Sequence, residues 1–218
     1  MPRYRAQPHR HGLDGARPGD VSLTLIANIV INLALFAVLA VGGGLASAWY
    51  MIEAGSRLST RTSGPWITWS AAGRPDADPY TRAHTVRNGL LPLASTLEIT
   101  YQAKADTRGG RLHAGCEYAI VMEGLDGGGW WSLAAFDGQG GLIPNPADRY
   151  AFSSASVMRE PDGRAIITLA RDARPGNWLP IGGSRVNLVL TVQDAAWAAA
   201  VYDGREKALP PIQRLACR

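Results

Sequence analysis

The residue types that most often do chemistry are few in this sequence of 218 residues, and they are poorly placed for it. Beyond the first twenty residues the histidines are His84 and His113, which lie far apart and have no ligand partner at helical spacing. Asp137, Asp148 and Asp172 fall in or beside predicted turns, where aspartate is common because its carboxylate bonds nearby backbone groups. A fold that brought two of these carboxylates together would give an envelope hydrolase, which is one hypothesis.

Motifs for cofactors and phosphates are absent from the sequence. It contains no G-x-S-x-G elbow, no phosphate-binding loop and no dinucleotide fingerprint, and its glycine runs lack the strand-to-helix context of such loops. We therefore predict no cofactor and no metal ion, and the sequence favours a protein that is not an enzyme.

Aromatic and amide side chains offer binding chemistry instead. Asn145 lies between two prolines, Asn177 and Trp178 follow a Pro-Gly turn, and Trp131 lies in a predicted strand. Aromatic faces beside amides suit sugars, because the ring covers an apolar patch while the amide bonds hydroxyl groups. These four residues are candidates for a glycan- or peptidoglycan-binding site. The alternative is that the tryptophans fill the core and the asparagines cap turns.

The chain has two cysteines, Cys116 and Cys217. In an oxidising compartment such a pair is read as a disulfide, which would tie the C-terminal segment to a predicted strand. The alternative is two unpaired thiols, which is unfavourable outside the cytoplasm.

A long apolar segment near the N-terminus predicts a transmembrane helix over residues 21–50. Val21 to Ile52 contains no charged residue, and a bilayer core needs about 20 helical residues. Trp49 and Tyr50 follow the most apolar part, where aromatic residues lie at headgroup level. Ala46-Ser47-Ala48 also fits the cleavage site of a secretory signal, but the apolar run is much longer than the ~7–15 residues of a signal.

The flanking charges predict the orientation of this helix. Residues 1–20 form a basic arm with four arginines and two aspartates, and such an arm stays in the cytoplasm. The rest of the chain then lies in the periplasm, with the helix in a bacterial inner membrane. Without the arm, 18 basic and 16 acidic residues remain, so the net charge of +4 gives no reason to expect nucleic acid as a partner.

One stripe of the predicted helix combines polar and small residues. Amides in lipid prefer a hydrogen-bond partner, and small residues let helix backbones approach each other. We therefore predict contact with another membrane protein or with a second copy of the chain, besides contact with the lipid bilayer. The predicted interface consists of Asn28, Asn32, Leu35, Leu39, Gly42 and Ala46 on this stripe, and of Gly44 on a neighbouring face.

After the helix, the sequence predicts a stalk or irregular lead-in over residues 51–78 and a periplasmic β-domain over residues 79–218. Leu97–Ala103 and Cys116–Met122 alternate with a period of two, and Val186–Val192 is the most β-prone segment. Short strands separated by turn signals predict a mainly β fold, an antiparallel β-sandwich of jelly-roll type. Ala195–Val201 is compatible with a short helix, and Trp66 and Trp69 are expected to pack back onto the domain.

Several motifs in this domain resemble the bacterial family known as domain of unknown function 1214. The motifs are Asp78–Ala83, Trp130–Leu133, Leu142–Pro146, Pro175–Pro180, Leu209–Ile212 and Cys217. The resemblance implies an envelope protein with an N-terminal hydrophobic segment, and it implies no activity and no catalytic residues. We expect a non-catalytic, membrane-anchored accessory or scaffolding subunit.

Overall fold

The computed structural model describes residues 18–56, 58–125, 129–205 and 208–217, with side chains described from residue 23 onward. The predicted basic arm therefore lies almost entirely outside the described residues. The chain divides into two compact units, Met1–Trp49 and Tyr50–Arg218.

The first helix, α1, runs from Pro18 to Ala54. Its segment Leu23–Ala54 is long and apolar enough to cross a membrane, and none of its most apolar window is buried. Among the described residues it is the one helix of this kind, and a signal sequence near the N-terminus has the same properties. The predicted apolar helix is thus present, and it is somewhat longer than residues 21–50.

The second unit is mostly β and contains two sheets. The larger has six antiparallel strands, and its spatial order is β1 (Thr60–Ser63), β2 (Trp66–Trp69), β3 (Glu98–Ala103), β9 (Val186–Gln193), β5 (Trp130–Asp137) and β6 (Ala151–Ser153). The smaller has the order β10 (Ile212–Cys217), β4 (Cys116–Met122), β7 (Ala165–Ala170) and β8 (Asn177–Pro180). Among its described residues, the unit also contains the helices α2 (Pro79–Arg87) and α3 (Ala195–Tyr202).

The core forms because the long strands alternate buried and less buried residues. In β4 the buried positions are Cys116, Tyr118, Ile120 and Met122, as the sequence pattern predicts. Buried residues of both sheets belong to one hydrophobic cluster, and α3 adds Trp197 to it. The predicted mainly β fold, a sandwich of two sheets, is confirmed.

Residues 51–78 are more regular than the predicted lead-in. Gly64, with a φ of +59°, allows the tight turn between β1 and β2, and β2 pairs with β3 so that the hairpin extends the six-stranded sheet. Trp66 is buried in the core, and its Nε1–H donates to the carbonyl of Pro210 at 2.8 Å. The prediction that Trp66 packs onto the domain is therefore confirmed.

The smaller sheet contains an arrangement that the sequence did not predict. β8 pairs with β7 in parallel, although only residues 171–176 connect them, and parallel neighbours usually need a longer crossover. Trp178 on β8 stabilises the pair, because its Nε1–H donates to the carbonyl of Ala170 at 2.9 Å. The sheet is therefore not wholly antiparallel.

Candidate functional site

A cavity of the second unit lies on the face of the six-stranded sheet that points away from the core. Its volume is about 280 Å³, just below the ~300–1,000 Å³ typical of small-molecule sites. α2 and the segment that follows it form one wall, and the end of α3 forms part of another. Most of the floor consists of outward-facing strand residues, which are Ile67, Trp69, Glu98, Thr100, Gln102, Phe136, Val189 and Thr191.

The α2 wall is held in place by its first and last turns. Asp78 caps the helix, and its Oδ1 accepts hydrogen bonds from the backbone N–H groups of Tyr80 and Thr81, each at 3.0 Å. Pro79 occupies the first turn, where its missing N–H is harmless. Gly89, with a φ of +62°, lets the chain turn away after the helix.

His84 is held in this wall by a ring contact and a hydrogen bond. Its ring stacks on Trp69, with the ring centroids 4.0 Å apart, and its Nδ1 lies 2.8 Å from the carbonyl oxygen of Ile52. Burial lowers the pKa of His84 below its ordinary value, although the Ile52 carbonyl and the Glu53 carboxylate partly offset this effect. The imidazole is therefore neutral at pH 7, and Nδ1–H donates to Ile52.

The charged groups at the cavity are already partnered. Glu98 accepts a hydrogen bond from the side-chain amide of Gln193 at 2.8 Å, and the Arg61 guanidinium donates to the carbonyl of Val201 at 2.7 Å. Among the lining residues that the structure describes, Glu98 is the one carboxylate. The described lining of the cavity therefore does not supply the carboxylate pair of a glycosidase.

The structure uses the predicted binding residues for internal contacts. The Asn145 amide bonds the backbone of Ile143 and Arg149, and the Asn177 amide bonds that of Met158 and Ile166. Trp131 is buried in the core, and the indole N–H of Trp178 is taken by Ala170, as described above. These contacts favour structural roles for all four residues, and none of the four lines the cavity.

Among the three predicted turn aspartates, Asp137 and Asp148 make contacts with nearby residues. Asp137 Oδ1 accepts from the backbone N–H groups of Gln139 and Gly141, and Asp148 accepts from the Tyr150 hydroxyl. Asp172 lies in the segment between β7 and β8. None of these three aspartates lines the cavity.

The predicted disulfide between Cys116 and Cys217 is present in the structure. The two cysteines are directly opposite each other on β4 and β10. His113 Nε2 lies 3.2 Å from the Cys116 sulfur, but both sulfurs are used by the disulfide and are not available as metal ligands.

An ion pair between Arg214 and the buried Asp106 also holds β10. Asp106 is almost fully buried, and it accepts hydrogen bonds from the Arg214 guanidinium and from the Arg108 and Gly110 backbone. Burial alone would raise the pKa of Asp106, but these hydrogen bonds outweigh it and hold the pKa below its ordinary value. Asp106 is therefore a structural carboxylate that joins β10 to the turn after β3.

The predicted helix interface lies on α1. Asn28 and Asn32 are one turn apart, and the seven predicted interface residues are all exposed.

Sequence reasoning missed the cavity and the contacts of His84, for which the sequence indicated no ligand partner at helical spacing. The available signal was the pair Asp78-Pro79, which is typical of a helix start, followed by the apolar run after Gly89. The contact between His84 and Ile52 joins residues that are 32 positions apart, so no local pattern predicts it.

Together, the fold and the cavity define a β-sandwich domain with a surface cavity, preceded by one apolar helix. Residues 98–196, a little under half of the chain, match the family described as "Protein of unknown function (DUF1214)". The predicted resemblance to this family is thus confirmed for these residues. No curated protein matches the sequence.

Two solved structures are similar to the chain. The VPA0106 protein from Vibrio parahaemolyticus is 15% identical with a TM-score of 0.57, and the match covers 80% of this chain and 43% of that one. An uncharacterized protein from Burkholderia cenocepacia is 16% identical with a TM-score of 0.35, and the match covers 84% of this chain and 52% of that one. The chain thus spans about half the length of these structures, and the first likeness supports the fold alone.

Proposed function

We propose that this protein is a non-catalytic accessory subunit anchored in a bacterial inner membrane by α1. The single observation that carries the proposal is α1 itself. Its apolar segment of 32 residues would be about 48 Å long, more than the ~30 Å of a bilayer core. The arginines that precede it favour a cytoplasmic N-terminus, and the β-domain then lies in the periplasm.

The proposed role of α1 goes beyond anchoring. Asn28 and Asn32 lie on one face of a mostly apolar helix, and in lipid each amide prefers a hydrogen-bond partner. Gly42, Gly44 and Ala46 would let a neighbouring helix approach closely. We expect the partner to be another envelope membrane protein or a second copy of this chain.

Two experiments test the proposal. A reporter enzyme that is active only outside the cytoplasm, fused after Arg218, is expected to be active. Cytoplasmic activity of a matched reporter would contradict the proposed orientation.

The second experiment compares two double variants after purification in mild detergent. Asn28→Leu with Asn32→Leu removes both amides, and it is expected to release a partner or to leave a monomer. Ile26→Leu with Val30→Leu is the matched control, because these residues are also one turn apart but face the opposite side of α1. Retention of the same complex by both variants would contradict the proposed interface.

A second candidate function, binding of a small ligand such as a cell-wall glycan fragment, is favoured by the cavity. Trp69 and Tyr202 provide aromatic rings there, and Gln102 and Thr191 provide polar groups. Titration with peptidoglycan fragments is expected to change the tryptophan fluorescence of the protein, and to change it less in a Trp69→Phe variant. An unchanged spectrum in the unaltered protein would remove this candidate.

A further inference from the structure

The segment between α2 and β3 exposes an unusual number of large apolar side chains. Val86, Leu90, Leu91, Leu93 and Leu97 fall within twelve residues, and we call them the leucine segment. Their exposed fractions are 81%, 43%, 94%, 51% and 56%, respectively. The range 86–97 contains one charged residue, Arg87. A water-facing loop rarely has this composition, so the segment indicates an interaction surface.

Hydrogen bonds at both ends hold this segment in place. The Leu90 N–H donates to the carbonyl of Thr85 at 2.9 Å, and the Ser95 N–H donates to that of Gly73 at 3.3 Å. A side chain on Gly73 would collide with the Leu93 carbonyl, so the backbones pack closely at this point. The leucines are therefore presented by a fixed loop.

The chain also ties this segment to the last turn of α1. Within the second unit, His84 lies 2.8 Å from the Ile52 carbonyl, and Arg87 pairs with Glu53 at 3.5 Å. Leu91 follows the helix cap Asn88 by three residues, which span at most ~11 Å. Leu91 is thus held near the residues at which α1 ends.

The position of Leu91 near the end of α1 indicates what the leucine segment contacts. In the proposed topology the helix leaves the bilayer near Trp49 and Tyr50, and Ile52 follows Trp49 by only three residues, which span at most ~11 Å. Apolar side chains this close to the membrane surface are favourably buried ~5–10 Å into the boundary between headgroups and acyl chains.

The geometry points to the leucine segment as a second membrane contact, in which Leu91 and its neighbours insert into the outer surface of the bilayer that holds α1. This inference rests on the proposed function, because it requires α1 to span the membrane. The contact would hold the domain against the bilayer at two points and would bring the rim of the cavity, formed in part by Leu90 and Leu91, to the lipid surface.

Spin labelling of the full chain in nanodiscs of phosphatidylethanolamine and phosphatidylglycerol tests this contact. A Leu91→Cys variant carries one reactive thiol, because Cys116 and Cys217 are joined in a disulfide. We expect its label to collide several-fold more with oxygen, relative to a water-soluble nickel chelate, than a label on a Met158→Cys variant. Met158 is a matched control, since it is 61% exposed and lies between β6 and β7.

A third label separates this inference from the proposed function. Val41→Cys lies in the apolar part of α1, outside the predicted interface and facing away from Asn28, and its label should behave as lipid-embedded if the helix spans the membrane. Lipid contact at residue 41, with equal oxygen-to-nickel collision ratios at residues 91 and 158, would overturn the leucine contact alone. Water-like behaviour at residue 41 would overturn both.

Discussion

At the scale of single residues, two buried tryptophans differ in one hydrogen bond. Both Trp66 and Trp131 are almost fully buried, and the Trp66 indole donates to Pro210. Within the part of the chain that the structure describes, Trp131 Nε1 has no partner. An unsatisfied buried N–H is unfavourable, whereas a satisfied one stabilises the fold by about 1 kcal/mol.

We therefore expect Trp66→Phe to lower the free energy of unfolding by about 1 kcal/mol more than Trp131→Phe. Both changes remove the same atoms, so their difference isolates the hydrogen bond. Urea unfolding followed by far-UV circular dichroism measures it. Equal losses for the two variants would mean that Trp131 has a partner, such as a buried water molecule.

His84 predicts a pH dependence of stability near neutrality. Its pKa is lower in the folded chain than the ordinary value of 6.5, so the unfolded chain binds a proton more readily. The contribution of neutral His84 to the free energy of unfolding is fully present above about pH 6.5, and it is lost as the pH falls through the lower pKa of the folded chain. We expect the Tm to fall between about pH 7.5 and about 5.5, and to fall less in His84→Phe, which keeps an aromatic ring beside Trp69.

The matched control for this prediction is His113→Phe, which removes an exposed histidine elsewhere in the domain. The buried Asp106 does not obscure the result, since its lowered pKa affects stability only at more acidic pH. If the unaltered protein and His84→Phe had the same pH profile, the assignment of a neutral, buried His84 would be wrong.

At the scale of elements, β10 is an edge strand held by a covalent bond. The disulfide joins cysteines that are 101 positions apart, and restricting a loop of this length in the unfolded chain stabilises a protein by up to ~4.7 kcal/mol in the entropy model. A double variant, Cys116→Ala with Cys217→Ala, is expected to lose about 2–5 kcal/mol in denaturant unfolding. A loss below ~1 kcal/mol would mean that strand pairing and the Asp106–Arg214 pair hold β10 unaided.

The ion pair beside the disulfide gives a separate prediction. Asp106→Asn keeps the shape of the side chain but removes its charge, so the Arg214 guanidinium loses its anionic partner. We expect a loss of about 1–3 kcal/mol in the free energy of unfolding. Asp162→Asn is the control, because Asp162 pairs with Arg164 on the exposed surface, where such pairs contribute little.

Sequence patterns predicted the elements that have a strict alternation of buried residues or a long apolar run. β4 and β9 alternate over their whole length, and α1 is a continuous apolar run, so each was predictable from its own residues. β1 and β8 have only four residues, and their pairing depends on strands distant in the sequence. The cavity could not be predicted from the sequence for the same reason, since its floor combines outward-facing residues of four strands.

At the scale of the whole molecule, the oxidation state of the two cysteines indicates the cellular compartment of the domain. The sequence contains two cysteines, and the structure joins them. If the domain lies in an oxidising periplasm, a thiol-reactive polymer added to denatured cell extracts should not shift the protein on a gel unless a reductant is added first. A shift without reductant would show free thiols and would contradict the proposed compartment.

The two sheets also end in strands that are poor templates for pairing. The larger sheet ends in β1 and β6, of four and three residues, while its central β5 and β9 have eight. The smaller sheet ends in β8, which contains Pro180, and in β10, which is interrupted by a register shift after Arg214. Short or interrupted edges leave few backbone groups for another copy to extend, so the domain is protected against growth into fibrils even when it is crowded at high local concentration.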